Sequence, residues 1–228
     1  MTLENLKEKY LKHAFLIIFL CAVAFSVYNF VSFSQKEKIE KHDEYIVSTV
    51  YDHYKIKNKE ARVTIVNYFS LDCSYCKKLY DLEEDFLQTS PDLAKKLNII
   101  YRHNPLAIQP LSQGKALIAE CVYKQQGDEV FFKFVKRVFK EHQDSYLDNV
   151  WVKDIAYEMV TSVKDLDLCV HDVTVQNSIQ TQKDQNLVED IQYTPTLLVF
   201  VDGVFIKKYE NIGVKTLLEV IKYYANLK

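Results

Sequence analysis

Val63-Thr64-Ile65-Val66-Asn67-Tyr68-Phe69, followed after a short bend by Cys73-Ser74-Tyr75-Cys76, is the stretch whose reading decides the fold. The first seven residues form a dense apolar run of the kind found in buried strands, and the cysteine pair stands where a helical pattern begins. A strand that delivers Cys-x-x-Cys onto the first turn of a helix places one sulfur at the positive end of the helix dipole, where a thiolate is favoured. The pair therefore reads as redox chemistry. Cys73 is the sulfur that attacks or is attacked, and Cys76 completes the transfer. A zinc half-site is the competing reading, but zinc requires two more ligands at compact spacing and none stands nearby in the sequence. No metal and no other cofactor is expected.

Outward from the pair, Tyr75, Leu79, Leu82 and Phe86 recur at helical spacing opposite Lys77, Lys78, Asp81 and Asp85. Ser90-Pro91 opens a short helix to about residue 97, and residues 98–103 read as a strand. Residues 111 to about 188 are helical in pattern, with Ala116, Leu117, Ala119 and Val122 in one segment and Val130, Phe131, Phe134, Val135, Val138 and Phe139 in another. Phe131, Phe132, Phe134 and Phe139 are read as core of this block, or in part as the lining of a groove. Residues 196–201 form an apolar strand, Asp202-Gly203 is a two-residue hairpin signal, residues 204–208 return, and a last helix runs from 214 to about 224. His103 is read as a loop or surface histidine, and Asp72 as solvated or helping to cap the helix.

The chain has 228 residues with 29 basic and 31 acidic side chains, a formal charge of -2, so there is no electrostatic case for nucleic acid. Residues 14–35 carry no formal charge over 22 positions, and as a helix they would span about 33 Å, long enough to cross a bilayer. An N-terminal transmembrane anchor over residues 1–35 is expected, with a cleaved signal peptide as the alternative, cut near Ser32-Phe33-Ser34. Lys7, Lys9 and Lys12 on one side of the span balance Lys36, Lys38 and Lys41 on the other, so charge leaves its orientation open. Cys21 within the span reads as a membrane-facing hydrophobe. Residues 36–60 read as a charged stalk, and residues 61–228 as the folded domain.

The Cys-x-x-Cys at a strand-to-helix junction, the long helical block, and Tyr193-Thr194-Pro195-Thr196 leading into a hairpin and final helix together resemble the DsbA-like thiol-disulfide oxidoreductases of the thioredoxin superfamily. The resemblance covers residues 61–228 and implies an α/β thioredoxin fold with a helical insertion, at about 106–190, between the second and third core strands. It implies that Pro195 is cis and that Thr194 faces Cys73. Ser74 and Tyr75 would tune the site: Ser74 as a hydrogen-bond donor near the sulfurs, Tyr75 stacked on a substrate or packed along the helix with Leu79. The family often has an acid six residues before the first cysteine; here that position is Asn67, inward-facing beside Val63, Ile65 and Phe69, which cannot move a proton as an acid does. The resemblance also implies a disulfide between Cys121 and Cys169, the alternative being two small buried hydrophobes. If the bond forms, the domain works in an oxidising space. The activity implied is formation of disulfide bonds in unfolded, secreted or envelope proteins, by a domain on the periplasmic side of a bacterial inner membrane, or secreted to the periplasm, and recycled by a membrane redox partner. A disulfide isomerase or reductase, and a non-enzymatic anchored chaperone or assembly factor, are the alternatives.

Overall fold

The computed structural model describes residues 20–30, 52–106, 108–109, 111–141 and 148–227. The chain forms two compact units, residues 1–48 and 49–228. In the first, residues 20–30 form helix α1, on which Cys21 is exposed. Among the described residues no helix is long and apolar enough to cross a membrane. The rest of the charge-free stretch lies outside the described residues, as does the expected stalk up to residue 51.

The second unit is built on one five-stranded sheet in the order β1-β3-β2-β4-β5. The strands are β1 His53–Ile56, β2 Val63–Phe69, β3 Leu97–His103, β4 Thr196–Val201 and β5 Val204–Tyr209. The apolar run is β2, the central strand, parallel to β3 and antiparallel to β4. Six of its seven side chains are buried, which is why it reads as a continuous run rather than an alternation. The stalk assignment fails at its C-terminal end. Residues 53–56 pair antiparallel with β3, His53 opposite Tyr101, and so belong to the sheet. Their charged and polar residues find partners far away in sequence, which a local pattern does not reveal.

The helices are α2 Ser74–Thr89, α3 Pro91–Ala94, α4 Ser112–Glu141, α5 Asn149–Tyr157, α6 Val163–Val170, α7 Val173–Val188 and α8 Val214–Ala225. Helix α3 stops earlier than its sequence pattern predicts because Leu97 is already the first residue of β3 and fully buried. The two helical segments expected around Ala116 and Phe134 are joined as α4, with a break at Gly127, whose φ of 74° suits glycine. Helices α5, α6 and α7 each start on a capping side chain: Asp148 accepts from Trp151 N–H, Ser162 from Asp165 N–H and Asp172 from Thr174 N–H. Such caps contribute about 1 kcal/mol each. Asp202 and Gly203 both have positive φ, 52° and 80°, the pattern of a tight hairpin turn.

One face of β2 and the core join in a single cluster. Ile65 and Phe69 pack with Leu79 and Phe86 of α2, Leu217 and Ile221 of α8, and Phe131, Phe134 and Phe139 of α4. The phenylalanines expected in the insertion core are there, Phe132 only partly buried. Cys121 of α4 and Cys169 of α6 are joined in a disulfide with Cα atoms 5.8 Å apart, so the pairing implied by the resemblance is present. Closing a sequence separation of 48 residues is worth about 4 kcal/mol on chain-entropy grounds. A Cys121→Ala/Cys169→Ala double variant is expected to lose a stability of that order in urea unfolding, and an unchanged midpoint would contradict the assignment.

Candidate redox site

Helix α2 starts directly after the bend that follows β2, and its N-cap residue is Cys73 itself, with φ -91° and ψ 110°. The Cys76 amide donates to Cys73 Sγ at 3.1 Å, so the sulfur occupies the place of a capping oxygen. The bend is held by Cys73 N–H donating to the Ser70 carbonyl at 3.1 Å. Across the site the Thr194–Pro195 bond is cis, as the resemblance implies, and the Cys73 thiol donates to the Thr194 carbonyl at 3.2 Å. Tyr193 is half-exposed and Thr196, at the start of β4, is fully buried.

The two thiols differ sharply. The Cys73 pKa is lowered to about 7: the Cys76 thiol, the Thr194 hydroxyl and the Cys76 and Tyr75 amides hydrogen-bond the thiolate, and together they outweigh burial. Thr194 Oγ1 is buried and makes no hydrogen bond to the described residues while Cys73 is a thiol, so it is available to turn to the thiolate. The Cys76 thiol is pushed well above its ordinary value, first by burial and then by its hydrogen bond to Cys73. One sulfur is poised to ionise and the other to keep its proton.

Tyr75 is 59% exposed while Leu79 is fully buried, so Tyr75 does not pack along the helix but stands on the surface beside the pair. With Tyr193, Thr194, Pro195, Asn211, Ile212 and Gly213 it lines an open groove of about 330 Å³. Ser74, the first residue of α2, is exposed.

Asn67 is buried, as its place on the strand predicts, opposite Tyr101 in the β2–β3 register. Its Oδ1 has no partner among the described residues. The carboxylate missing at this position is present elsewhere. Glu83 of α2 is fully buried, accepts from the Tyr101 hydroxyl at 2.6 Å and pairs with Lys55 of β1 at 2.9 Å. Glu83 lies seven residues beyond Cys76, about 10 Å along the helix axis, too far for direct proton transfer. Neither Glu83 nor Lys55 is identifiable from local pattern, since Glu83 falls among the helix's other acidic residues and Lys55 in the supposed stalk.

Asp72 is neither solvated nor a cap. Its side chain is fully buried and ion-paired with the equally buried Lys115 of α4. The charge next to Cys73 is thus neutralised by a lysine 43 positions beyond Asp72, which no local reading finds. His103 likewise is not a surface histidine: it ends β3, 1% exposed, with its ring 4.9 Å from Phe69.

The sequence matches the family described as Thioredoxin over residues 48–222. No curated protein matches it significantly. Among solved structures, α-DsbA1 of Wolbachia pipientis has a TM-score of 0.66 at 19% identity, covering 81% of this chain and 96% of that one. BdbD of Bacillus subtilis, in its oxidised form, has a TM-score of 0.62 at 20% identity, covering 79% and 96%. BcfH of Salmonella enterica Typhimurium has a TM-score of 0.62 at 14% identity, covering 98% and 96%. At these identities the likeness is one of fold.

In the reduced protein the ultraviolet absorbance of the Cys73 thiolate is expected to titrate with a midpoint at about pH 7. Because the folded pKa lies below the unfolded one, the associated stability is fully present above the unfolded thiol pKa and is lost as pH falls through about 7. Thr194→Val, which deletes the hydroxyl, is expected to move the midpoint upward. Identical midpoints in the two proteins would remove Thr194 from the account.

Proposed function

We propose that this chain, which belongs to the thioredoxin family, is a DsbA-like thiol-disulfide oxidoreductase acting on unfolded, secreted or envelope proteins. The observation that carries this reading is the Cys73 sulfur, set on the α2 N-terminus against Thr194 at the edge of an open groove. In the oxidised form a substrate thiolate attacks Cys73 Sγ, the Cys73–Cys76 bond breaks, and Cys76 leaves and takes a proton, as its raised pKa requires. A second substrate thiolate then attacks the substrate sulfur of the mixed disulfide. Cys73 departs as a thiolate held by the helix amides and Thr194, and the substrate keeps the new disulfide. The two electrons remain on the Cys73/Cys76 dithiol and pass to a membrane redox partner. Tyr75, Tyr193 and Ile212, all well exposed, present apolar surface to an extended polypeptide lying along the groove.

The Cys121–Cys169 disulfide supports an extracytoplasmic setting, because such bonds persist in oxidising compartments. With it, the charge-free stretch of residues 14–35 supports a single-pass anchor in the inner membrane with the folded domain, β1 included, on the periplasmic side. Release to the periplasm after signal cleavage is the alternative. A second reading of the direction rests on a specific observation. A Cys73 pKa of about 7 lies at the thioredoxin end of the Cys-x-x-Cys range, whereas strongly oxidising pairs sit near about 3.5. That favours net reduction or isomerisation of the same bonds.

The reduction potential of the Cys73–Cys76 bond separates the directions: about -120 mV marks an oxidant and about -270 mV a reductant. Wild type is expected to be active in insulin reduction or in reactivation of scrambled ribonuclease, and Cys73→Ala to be inactive in both. Inactivity of the wild type in both assays would replace the enzyme with an anchored chaperone or assembly factor.

A further inference from the structure

Behind the redox pair lies a second cluster of reactive groups that thiol–disulfide exchange does not use. His53 opens β1, His103 closes β3, and Glu120 sits in α4, one residue before the disulfide-bonded Cys121. All three are buried, at 0%, 1% and 2% exposure. One ligating atom from each lies within 4.8 Å of the others. Both imidazoles approach the same carboxylate oxygen: His53 Nε2 is 3.1 Å and His103 Nε2 3.9 Å from Glu120 Oε2.

Hydrogen bonding does not account for this arrangement. His53 Nε2 is within hydrogen-bond range of Glu120, but 3.9 Å is not a hydrogen bond. His103 Nε2 has no partner among the described residues, and neither has His53 Nδ1. An unpartnered buried polar atom costs about 1–3 kcal/mol. The rings are held in place. His53 stacks on Phe131 at 3.9 Å and meets Tyr123 edge-on at 4.5 Å.

We propose that His53, His103 and Glu120 form a binding site for a divalent transition-metal ion, zinc by preference, that clamps β1, β3 and α4 together. Ligands at about 2.0–2.1 Å from a tetrahedral zinc stand about 3.3 Å from one another, and the observed 3.1 and 3.9 Å bracket that separation. Two imidazoles and one carboxylate suit zinc, cobalt, nickel or copper and not magnesium or calcium, which take oxygen ligands. Three protein ligands leave a fourth position for water or another small donor. The ion supplies the cation that the buried Glu120 carboxylate calls for and gives His103 Nε2 its partner.

The test uses the full-length chain, freed of metal by a chelator and with Cys21, Cys73 and Cys76 alkylated so that no thiol can ligate. Titration with Co²⁺ is expected to give one ion per chain with visible ligand-field bands, free of sulfur charge-transfer bands and displaced by Zn²⁺. Glu120→Gln and His103→Phe, checked for native circular dichroism, are expected to weaken binding by about 10–100-fold or more. If the variants fail to fold, histidine NMR of the wild type decides. Zn²⁺ should shift the resonances of His53 and His103. Absence of binding by the alkylated wild type, undiminished binding by folded variants, or shifts confined to His13, His42, His142 and His171 would each overturn the site.

Discussion

The contact on which the rest depends is the hydrogen bond from the Cys76 amide to the Cys73 sulfur at the first turn of α2. It makes a thiol do the work of a helix cap, and a sulfur capping free amides is stabilised as a thiolate. That bond exists only because β2 ends where it does. A central strand flanked by β3 and β4, with α2 and α8 packed on one face, fixes the bend at Ser70 to Asp72 and therefore the direction in which α2 departs. The β4–β5 hairpin completes the site from the other side, since Thr194 immediately precedes β4, and β4 is registered residue by residue against β2.

The helical insertion is more than a lid on this arrangement. From α4 it sends Lys115 to neutralise Asp72 beside the reactive cysteine, Glu120 toward two strand histidines, and Phe131, Phe134 and Phe139 into the main core. A buried ion pair is a weak source of net stability, but removing one member leaves an uncompensated charge, about 3–5 kcal/mol against the fold. Asp72 and Lys115 therefore couple the position of α4 to the residue next to Cys73. The Glu83, Lys55 and Tyr101 group in turn ties α2 to β1 and β3.

What local pattern conveys well here is what depends on neighbours in the chain. The continuous run of β2, the helical spacing after it, the placement of the cysteine pair at the helix start and the Asp202-Gly203 turn follow from side-chain period and backbone preference. The Cys121–Cys169 pairing and the cis bond at Pro195 came from resemblance and stand in the structure. The readings that failed share one cause. Residues 53–56 looked like a solvated spacer, Asp72 like a solvated or capping acid and His103 like a loop or surface histidine, and of the two readings of Tyr75 the packed helix residue is the one that fails. In each case the deciding partner, or its absence, lies in another element. Tyr75 shows the converse of burial: its helical phase allowed contact with Leu79, but its ring is 59% exposed, with the Lys78 ammonium 5.3 Å from the ring centroid.

The sequence by itself determined which chemistry to propose, because Cys-x-x-Cys on a strand-to-helix junction is a short-range feature whose meaning travels with the residues, and the Thr-Pro before a terminal hairpin added to it through the resemblance. Only the tertiary structure decided the environment of that chemistry: which sulfur is exposed to amides and a hydroxyl, which charge neutralises Asp72, and which carboxylate meets His53 and His103. The physical reason is range. Backbone preference acts over a few residues, whereas desolvation and pairing of charges depend on atoms brought together across intervals such as the 67 residues between His53 and Glu120.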